Sequence, residues 1–550
     1  MATITFNKEE LETFIGKSRP VEEIVHAFEM LGMPVDKYNE KEIVADITTD
    51  RVDMFTVEGA GRAIGMFLGL KEPKKYKPEP SKLVMNVDKV AARPYIVAFA
   101  AKGVKLDEAM LRSLIMAQEK IHETFGRRRK KVAIGIHDLD KIEGPLAYRS
   151  FKYTTFVPLD MDKEMNPQQI LKEHPKGMEY AWVFEGVSEY PIVLDKQGVL
   201  SFPPIINAER TRLTEKTRNL LFEITGTSEQ AVSSILHIFA AAMIDRGAKV
   251  ENIKLKLLDG EKDSLISERK EKLSVKFVNE TLGLNLKAEE MAKVLAKMGY
   301  SVLKSSADEL TVDAPTYRAD IIHEVDLVED VAVGYGYENM KPELPELLTI
   351  GKIASTREKQ ASIRRLLISS GFNEIAAWTL TNEKIDSNAL VMGDCVEIKN
   401  PRTNEFTRFR QALYPSALTI LSENKTKGLP QKIFEIGKVA NEKGACSTSL
   451  CVMITNYAAS FSAIRGALRL LEDVIPFKTT PADRDFLIPG RSVSILINGK
   501  EVGWCGEINP QLLENFKLEY PVAAFELSLS EAEEPQPQLT KATKTKAVKT

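Results

Sequence analysis

Four acidic residues, Asp320, Asp326, Glu329 and Asp330, are the residues of this 550-residue chain whose types and spacing most directly suggest chemistry. Asp326, Glu329 and Asp330 stand at i, i+3 and i+4, so their carboxylates converge if the segment is helical, and Asp320 can lean toward them from just before the helix. Carboxylates gathered in this way repel one another unless water screens them or a hard cation sits among them. Magnesium suits such a patch because it takes oxygen ligands and keeps several of its waters. A solvated acidic helix face is the other reading of the same spacing.

The element that must carry these residues lies within 314–337. Pro315 keeps the entry extended and Gly334 and Gly336 suit an exit, which predicts a helix over 321–333 with an apolar stripe of Ile322, Val325, Val328 and Val331 or Ala332. The stretch just upstream is a repeat. Residues 16–53 align without gaps to 283–320 at a constant offset of 267, pairing Gly16 with Gly283, Gly32 with Gly299, Arg51 with Arg318 and Asp53 with Asp320. Ser18 and Asn285 read as helix N-caps and the glycines as left-handed helix stops. Two copies of one small helix-and-strand unit follow. The positions matching 326, 329 and 330 are Gly59, Arg62 and Ala63, so the shared fold does not require the acidic trio.

The length suits several domains with proper cores, and 43% hydrophobic with 28% charged residues is ordinary globular composition. With 75 Lys and Arg against 78 Asp and Glu, the chain lacks the overall basicity of a protein that coats nucleic acid, so any RNA contact is a local patch. Cysteines at 395, 446, 451 and 505 form no CxxC pair, which argues against structural zinc and a disulfide framework. No apolar run approaches a membrane span and the N-terminus lacks a secretory pattern, so a cytoplasmic protein without membrane partners is expected.

Changes of character along the chain set the expected organisation. Residues 1–85 hold the first repeat unit and 266–345 the second, with its acidic helix. Between them, 86–265 mixes strands and helices. This region contains the basic run Arg127-Arg-Arg-Lys-Lys131, which reads as a solvated turn or as an RNA phosphate contact. It also contains a hairpin-like stretch over 190–207 with a diproline, and a strand over 219–227 that ends in small polar residues. Residues 346–530 form another α/β unit, and the polar, Pro-, Lys- and Thr-rich 531–550 reads as a disordered tail.

Several blocks, in order, carry a family resemblance: Asp50-Arg-Val-Asp-Met-Phe-Thr-Val-Glu-Gly, Leu200-Ser-Phe-Pro-Pro-Ile-Ile-Asn, Tyr317-Arg-Ala-Asp with Asp326-Leu-Val-Glu-Asp, Asn400-Pro, Arg410-Gln-Ala-Leu, and Leu429-Pro-Gln-Lys-Ile-Phe-Glu-Ile-Gly. Together they resemble the β subunit of phenylalanyl-tRNA synthetase. The bacterial type's N-terminal barrel and C-terminal anticodon-binding domain have no counterpart here, so the likeness is to the archaeal and eukaryotic type. The resemblance implies an α+β multidomain protein: duplicated small helical and strand units, a mixed α/β editing-type domain, and a degenerate class II synthetase-like antiparallel sheet domain. It implies an α2β2 heterotetramer with a catalytic α subunit, which joins phenylalanine to tRNA(Phe) while ATP goes to AMP and pyrophosphate.

The class II pattern places Glu two residues after an Arg. Arg408 is followed by Phe409 and Arg410, and Arg410 by Gln411 and Ala412, which implies that ATP is used by the complex and not bound by this chain. The family's Mg²⁺ site, shared with the α subunit, carries over to Asp320, Asp326, Glu329 and Asp330. The middle domain resembles one that hydrolyses Tyr-tRNA(Phe), with Ser201, Asn207, Glu223 and Thr225 as its candidate pocket residues. Glu223 would accept the tyrosyl hydroxyl, at a position where the family more usually has Asp. A freestanding Tyr-tRNA deacylase and a non-catalytic RNA-binding scaffold are the alternatives.

Overall fold

The computed structural model describes residues 1–344 and 350–530, which fall into two compact units, Met1–Leu344 and the remainder. The tail expected over 531–550 lies outside the described residues. No helix among the described residues is long and apolar enough to cross a membrane.

Within the first unit, both repeated segments fold as a three-stranded antiparallel sheet with helices on one side. The strands are ordered Ala2–Asn7, Glu42–Ile47, Val35–Tyr38 in one copy and Lys270–Ser274, Glu309–Asp313, Ser301–Ser305 in the other. Thr3 lies opposite Asp46 as Lys270 lies opposite Asp313, and the bulge between Val35 and Lys37 recurs between Val302 and Lys304, all at the 267-residue offset. Alternation explains the match: Ile43, Ala45 and Ile47 point inward in the first copy as Leu310 and Val312 do in the second. Gly16 and Gly283, at φ of 94° and 66°, end the first helix of each copy where an L side chain would be strained. Ser18 and Asn285 are not the N-caps. Those positions belong to Pro20 and Lys287, two residues further on, and Ser18 instead donates to the Glu12 carboxylate.

The acidic helix is Glu324–Tyr335, shifted from the expected 321–333 because Asp326 reaches back and accepts from the Ile322 and His323 amides at 2.6 Å each, fixing the start. Its buried face is also rotated. Leu327, Val328, Val331 and Ala332 are buried, whereas Ile322 and Val325 are 58% and 49% exposed. Asp330 therefore lies on the buried side.

Between the repeats runs a ten-stranded mixed sheet, ordered Ile206–Asn207, Gly198–Phe202, Tyr190–Asp195, Leu146–Phe151, Glu79–Val87, Lys249–Leu257, Tyr95–Lys102, Asn219–Gly226, Val132–Asp138, with Gly260–Asp263 added beside Lys249–Leu257. Glu79–Val87 is parallel to both its neighbours and the other pairings are antiparallel. The sheet curls until its ends meet: Asn207 Nδ2, from the first strand, donates to the Ile136 carbonyl of the last at 3.1 Å. Stacking of Phe99 on Phe222 at 4.5 Å and the buried helix Glu229–Asp245 fill the concave core, each fully buried aromatic contributing roughly 1.5–3 kcal/mol.

The second unit is a seven-stranded sheet, antiparallel except for the short Asn373–Glu374. Period-two alternation splits its core. Leu450 and Val452 pack with Ile363, Leu367 and Ile464 on one face, while Cys451 and Met453 pack with Leu418, Trp504 and Leu512 on the other.

Candidate functional site

Along Asn219–Gly226, Leu221, Glu223 and Thr225 share a face, and Glu223 sits directly across from Gly135 of Val132–Asp138. That glycine is required by close approach: a Cβ there would lie 2.3 Å from Glu223 Oε1. The curl of the sheet then brings Gly198–Phe202 over the same point, where Ser201 Oγ donates to Glu223 Oε1 at 2.7 Å. His137, two residues after Gly135 on the same face, places Nε2 3.7 Å from Glu223 Oε1, with its Nδ1 2.9 Å from Thr211 Oγ1. Glu223, Ser201 and His137 are all buried, yet Glu223 Oε2 and His137 Nε2 have no hydrogen-bond partner among the described residues.

These groups close the polar end of a cavity of about 440 Å³ at the seam of the sheet. Asn207, Glu223, Thr225 and Thr211 line it, and Leu114, Ile115, Ile134, Ile136 and Ile205 give it apolar walls. Of the four residues expected here, Asn207, Glu223 and Thr225 face the cavity, and Ser201 stands behind Glu223. Thr225 is held from outside the cavity: Arg93 donates to its Oγ1 and its carbonyl at 2.7 Å each. Burial brings the Arg93 guanidinium down to about 10, against the opposing pull of Tyr148 and Glu223. The rim is formed by Arg129, whose guanidinium donates to Glu119 at 2.7 Å and to the Ile205 carbonyl at 3.1 Å.

His137, Gly135, Thr211 and Arg93 were not singled out from the sequence. A signal existed for two of them: glycine inside a strand, followed at period two by histidine, marks a face where a backbone must come close to something polar.

The acidic set lies elsewhere in the first unit. Asp320 accepts from Arg318 Nε at 2.9 Å, and Arg318 Nη2 reaches Asp330 Oδ1 at 3.0 Å. Tyr300 Oη donates to the other Asp330 oxygen. Asp326 is engaged at the helix start. Among the described residues Glu329, alone of the four, makes no hydrogen bond or ion pair, and burial followed by the nearby Asp330, Asp50 and Asp320 raises its carboxyl above the usual range. Among the described residues no group of three or more His, Cys, Asp or Glu side chains forms a metal cage. The donors are hard oxygens of the kind magnesium takes, and a dication would relieve the field at Glu329.

Three family models match the chain: "B3/4 domain" over residues 115–257, "tRNA synthetase B5 domain" over 271–337 and "Phenylalanyl tRNA synthetase beta chain CLM domain" over 341–529. The matched regions are thus those of an aminoacyl-tRNA synthetase subunit. The phenylalanine–tRNA ligase β subunit of Archaeoglobus fulgidus is 38% identical over 544 residues, covering 96% of this chain and 98% of that one. That of Methanosarcina barkeri is 35% identical over 547 residues, covering 96% and 99%. A crystal structure of an N-terminal fragment of the phenylalanyl-tRNA synthetase β subunit from Pyrococcus horikoshii superposes with a TM-score of 0.58 at 34% identity, covering 61% of this chain and 99% of the fragment. The chain belongs to the phenylalanine–tRNA ligase β-subunit family.

Proposed function

We propose that this chain works with a catalytic α subunit, as an α2β2 heterotetramer, to attach phenylalanine to tRNA(Phe), and that its own chemistry is hydrolysis of Tyr-tRNA(Phe) in the seam cavity. The observation that carries the hydrolytic reading is Glu223: a carboxylate at the end of an apolar slot, with one oxygen held by Ser201 and the other left without a donor. A hydrophobic phenylalanine pocket rejects an added hydroxyl by only about 100-fold. A second site that requires the hydroxyl supplies the missing selectivity. Tyrosine entering the slot would place its phenolic O–H at the free Glu223 oxygen, and phenylalanine would leave that oxygen unpaired. Asn207 and Thr225 would position the ester or the attacking water. Ser201 holds Glu223 from the other side, with His137 Nε2 3.7 Å from the same oxygen.

In the same reading, residues 1–85 and 266–345 are the duplicated units, 86–265 the editing-type domain and 346–530 a degenerate class II domain. The arginines that would meet ATP in such a domain are engaged within the chain. Arg410 pairs with Glu435 at 2.7 Å, Arg408 with Glu397 at 3.1 Å and Arg491 with Glu507 at 2.8 Å, which supports adenylation in the α subunit. Trp378, 76% exposed and edge-on to Phe406, supports a partner surface on this domain. Magnesium would be held by Glu329 with Asp320, Asp326 and Asp330 at the α interface, where it supplies charge neutralisation.

The test is the assembled complex with Glu223→Gln, which keeps the volume but removes the charge. Hydrolysis of Tyr-tRNA(Phe) should fall about 10- to 100-fold in kcat/KM, the worth of a charge-assisted hydrogen bond, with the aminoacylation rate unchanged. Unaltered hydrolysis would remove Glu223 from the site.

A further inference from the structure

The basic run at 127–131 is not an ordinary solvated turn. Arg127, Arg128 and Arg129 take φ of 51°, 52° and 64° in succession, a single left-handed turn closed by Lys130 N–H to the Arg127 carbonyl at 3.2 Å and Lys131 N–H to the Gly126 carbonyl at 2.8 Å. Arg129 turns inward and anchors it, bonded to Glu119 and the Ile205 carbonyl and lying 4.6 Å from the Tyr180 ring centroid. Arg127, Arg128 and Lys130 are thrown outward. All three are exposed, and none pairs with a carboxylate among the described residues. Nearby surface cations behave differently: Lys176 pairs with Glu179, Arg112 with Glu108, and Arg212 with Asp160 and Glu209. Arg128 also lies 5.5 Å from the ring of Trp182, which is 38% exposed.

We infer that this turn and Trp182 form a docking platform for the single-stranded 3′ end of an RNA, delivering that end over Arg129 into the seam cavity. Three unpaired cations within four residues suit successive backbone phosphates, and an exposed indole beside them suits a stacked base, the pairing by which single strands are held without regard to sequence. Arg129 is shared: it belongs to the turn and lines the cavity, so a strand lying on the platform ends at the cavity mouth. An acidic protein surface would match the charge but gives the indole no role. The direction of delivery rests on the hydrolytic reading of the cavity; the platform itself does not.

The test uses the assembled α/β complex carrying Arg127→Asn, Arg128→Asn and Lys130→Gln, since asparagine tolerates the left-handed region and Arg129 is kept as the anchor. Binding of a dye-labelled single-stranded RNA with the tRNA 3′ sequence is measured between about 50 and 200 mM KCl. Three lost phosphate contacts should weaken it at least about 10-fold and lower the slope of log K against log salt by about 2. Trp182→Ala should weaken binding about 5-fold or more with the slope unchanged, as lost stacking does. For Tyr-tRNA(Phe) hydrolysis, KM should rise about 10-fold in the triple variant with kcat held within about 2-fold, because the cavity is untouched. Unchanged RNA affinity and slope would overturn the proposal, as would loss of the α subunit from the triple variant with RNA binding intact. If the wild-type complex fails to hydrolyse Tyr-tRNA while the RNA-binding losses appear as stated, the hydrolytic reading falls and the platform is supported.

Discussion

Gly135 and Glu223 face each other across adjacent strands, and the absence of one side chain makes room for the other. The longer carboxylate at 223 needs the space that a Cβ at 135 would take, since that atom would stand 2.3 Å from Oε1. Gly135→Ala should therefore swing Glu223 away from Ser201, at a stability cost of about 1–3 kcal/mol for overpacking, and reduce Tyr-tRNA hydrolysis while leaving aminoacylation intact. Thermal denaturation with parallel hydrolysis and charging assays checks this, and an alanine variant with full hydrolytic activity would show that the carboxylate has room to spare. At this scale the sequence was partly legible. Ser201, Asn207, Glu223 and Thr225 were named together through the family resemblance, while the pattern itself showed only a strand over 219–227 ending in small polar residues. How they converge, and the presence of His137 beside them, could not be read, because this depends on a sheet whose first and last strands meet, and a contact between residues 71 apart in the chain, Ile136 and Asn207, leaves no local pattern.

The acidic helix shows the same limit one level up. Its existence followed from periodicity and its exit from Gly334 and Gly336, and Val328, Val331 and Ala332 of the expected stripe are buried; the start of that stripe did not follow, since Ile322 lies before the helix and Val325 is 49% exposed. The side-chain cap by Asp326 and the pull of Arg318 on Asp330 decide the matter. Arg318 is 3% exposed and leans on Asp320 and Asp330. Asp330→Ala should cost about 1–3 kcal/mol, since Arg318 loses one charge-assisted hydrogen bond but keeps Asp320. Glu329→Ala should be neutral or slightly stabilising without divalent ions, since it relieves the crowding that raises the Glu329 carboxyl. In the assembled complex, magnesium should raise the Tm of the wild type and not that of Glu329→Ala, because only a species that binds the cation when folded gains from it. Equal shifts in the two would leave Glu329 as a solvated surface residue.

For the whole molecule, the two units should answer acid in opposite directions. In the first, His122 is buried with Nε2 accepting the Ile134 amide at 2.9 Å, and burial lowers it from 6.5 to about 4. Burial also lowers His237, whose Nε2 accepts the Ile266 amide at 3.0 Å. The unfolded chain takes up these protons from about pH 6.5 while the folded unit refuses them, so the stability these rings contribute is lost as pH falls toward 4. In the second unit, burial raises Glu526 from 4.5 to about 7, even though it accepts from the Leu413 and Tyr414 amides, and raises Asp386 from 3.8 to about 6. Here the folded state holds protons the unfolded chain has released, so stability falls as pH rises from about 4.5 to 7 and returns on acidification. Each fully buried group commands on the order of 3 kcal/mol across its window. Hydrogen exchange should then show, between pH 7.5 and 5.5, falling protection factors in the slowest amides of Val132–Asp138 and Glu229–Asp245 and rising ones in Cys446–Thr455 and Val522–Ser528. Glu526→Gln should flatten the response of the second unit alone. Parallel changes in both units, or an unaltered slope in the glutamine variant, would mean that buried ionisation at these groups does not govern how the chain senses pH.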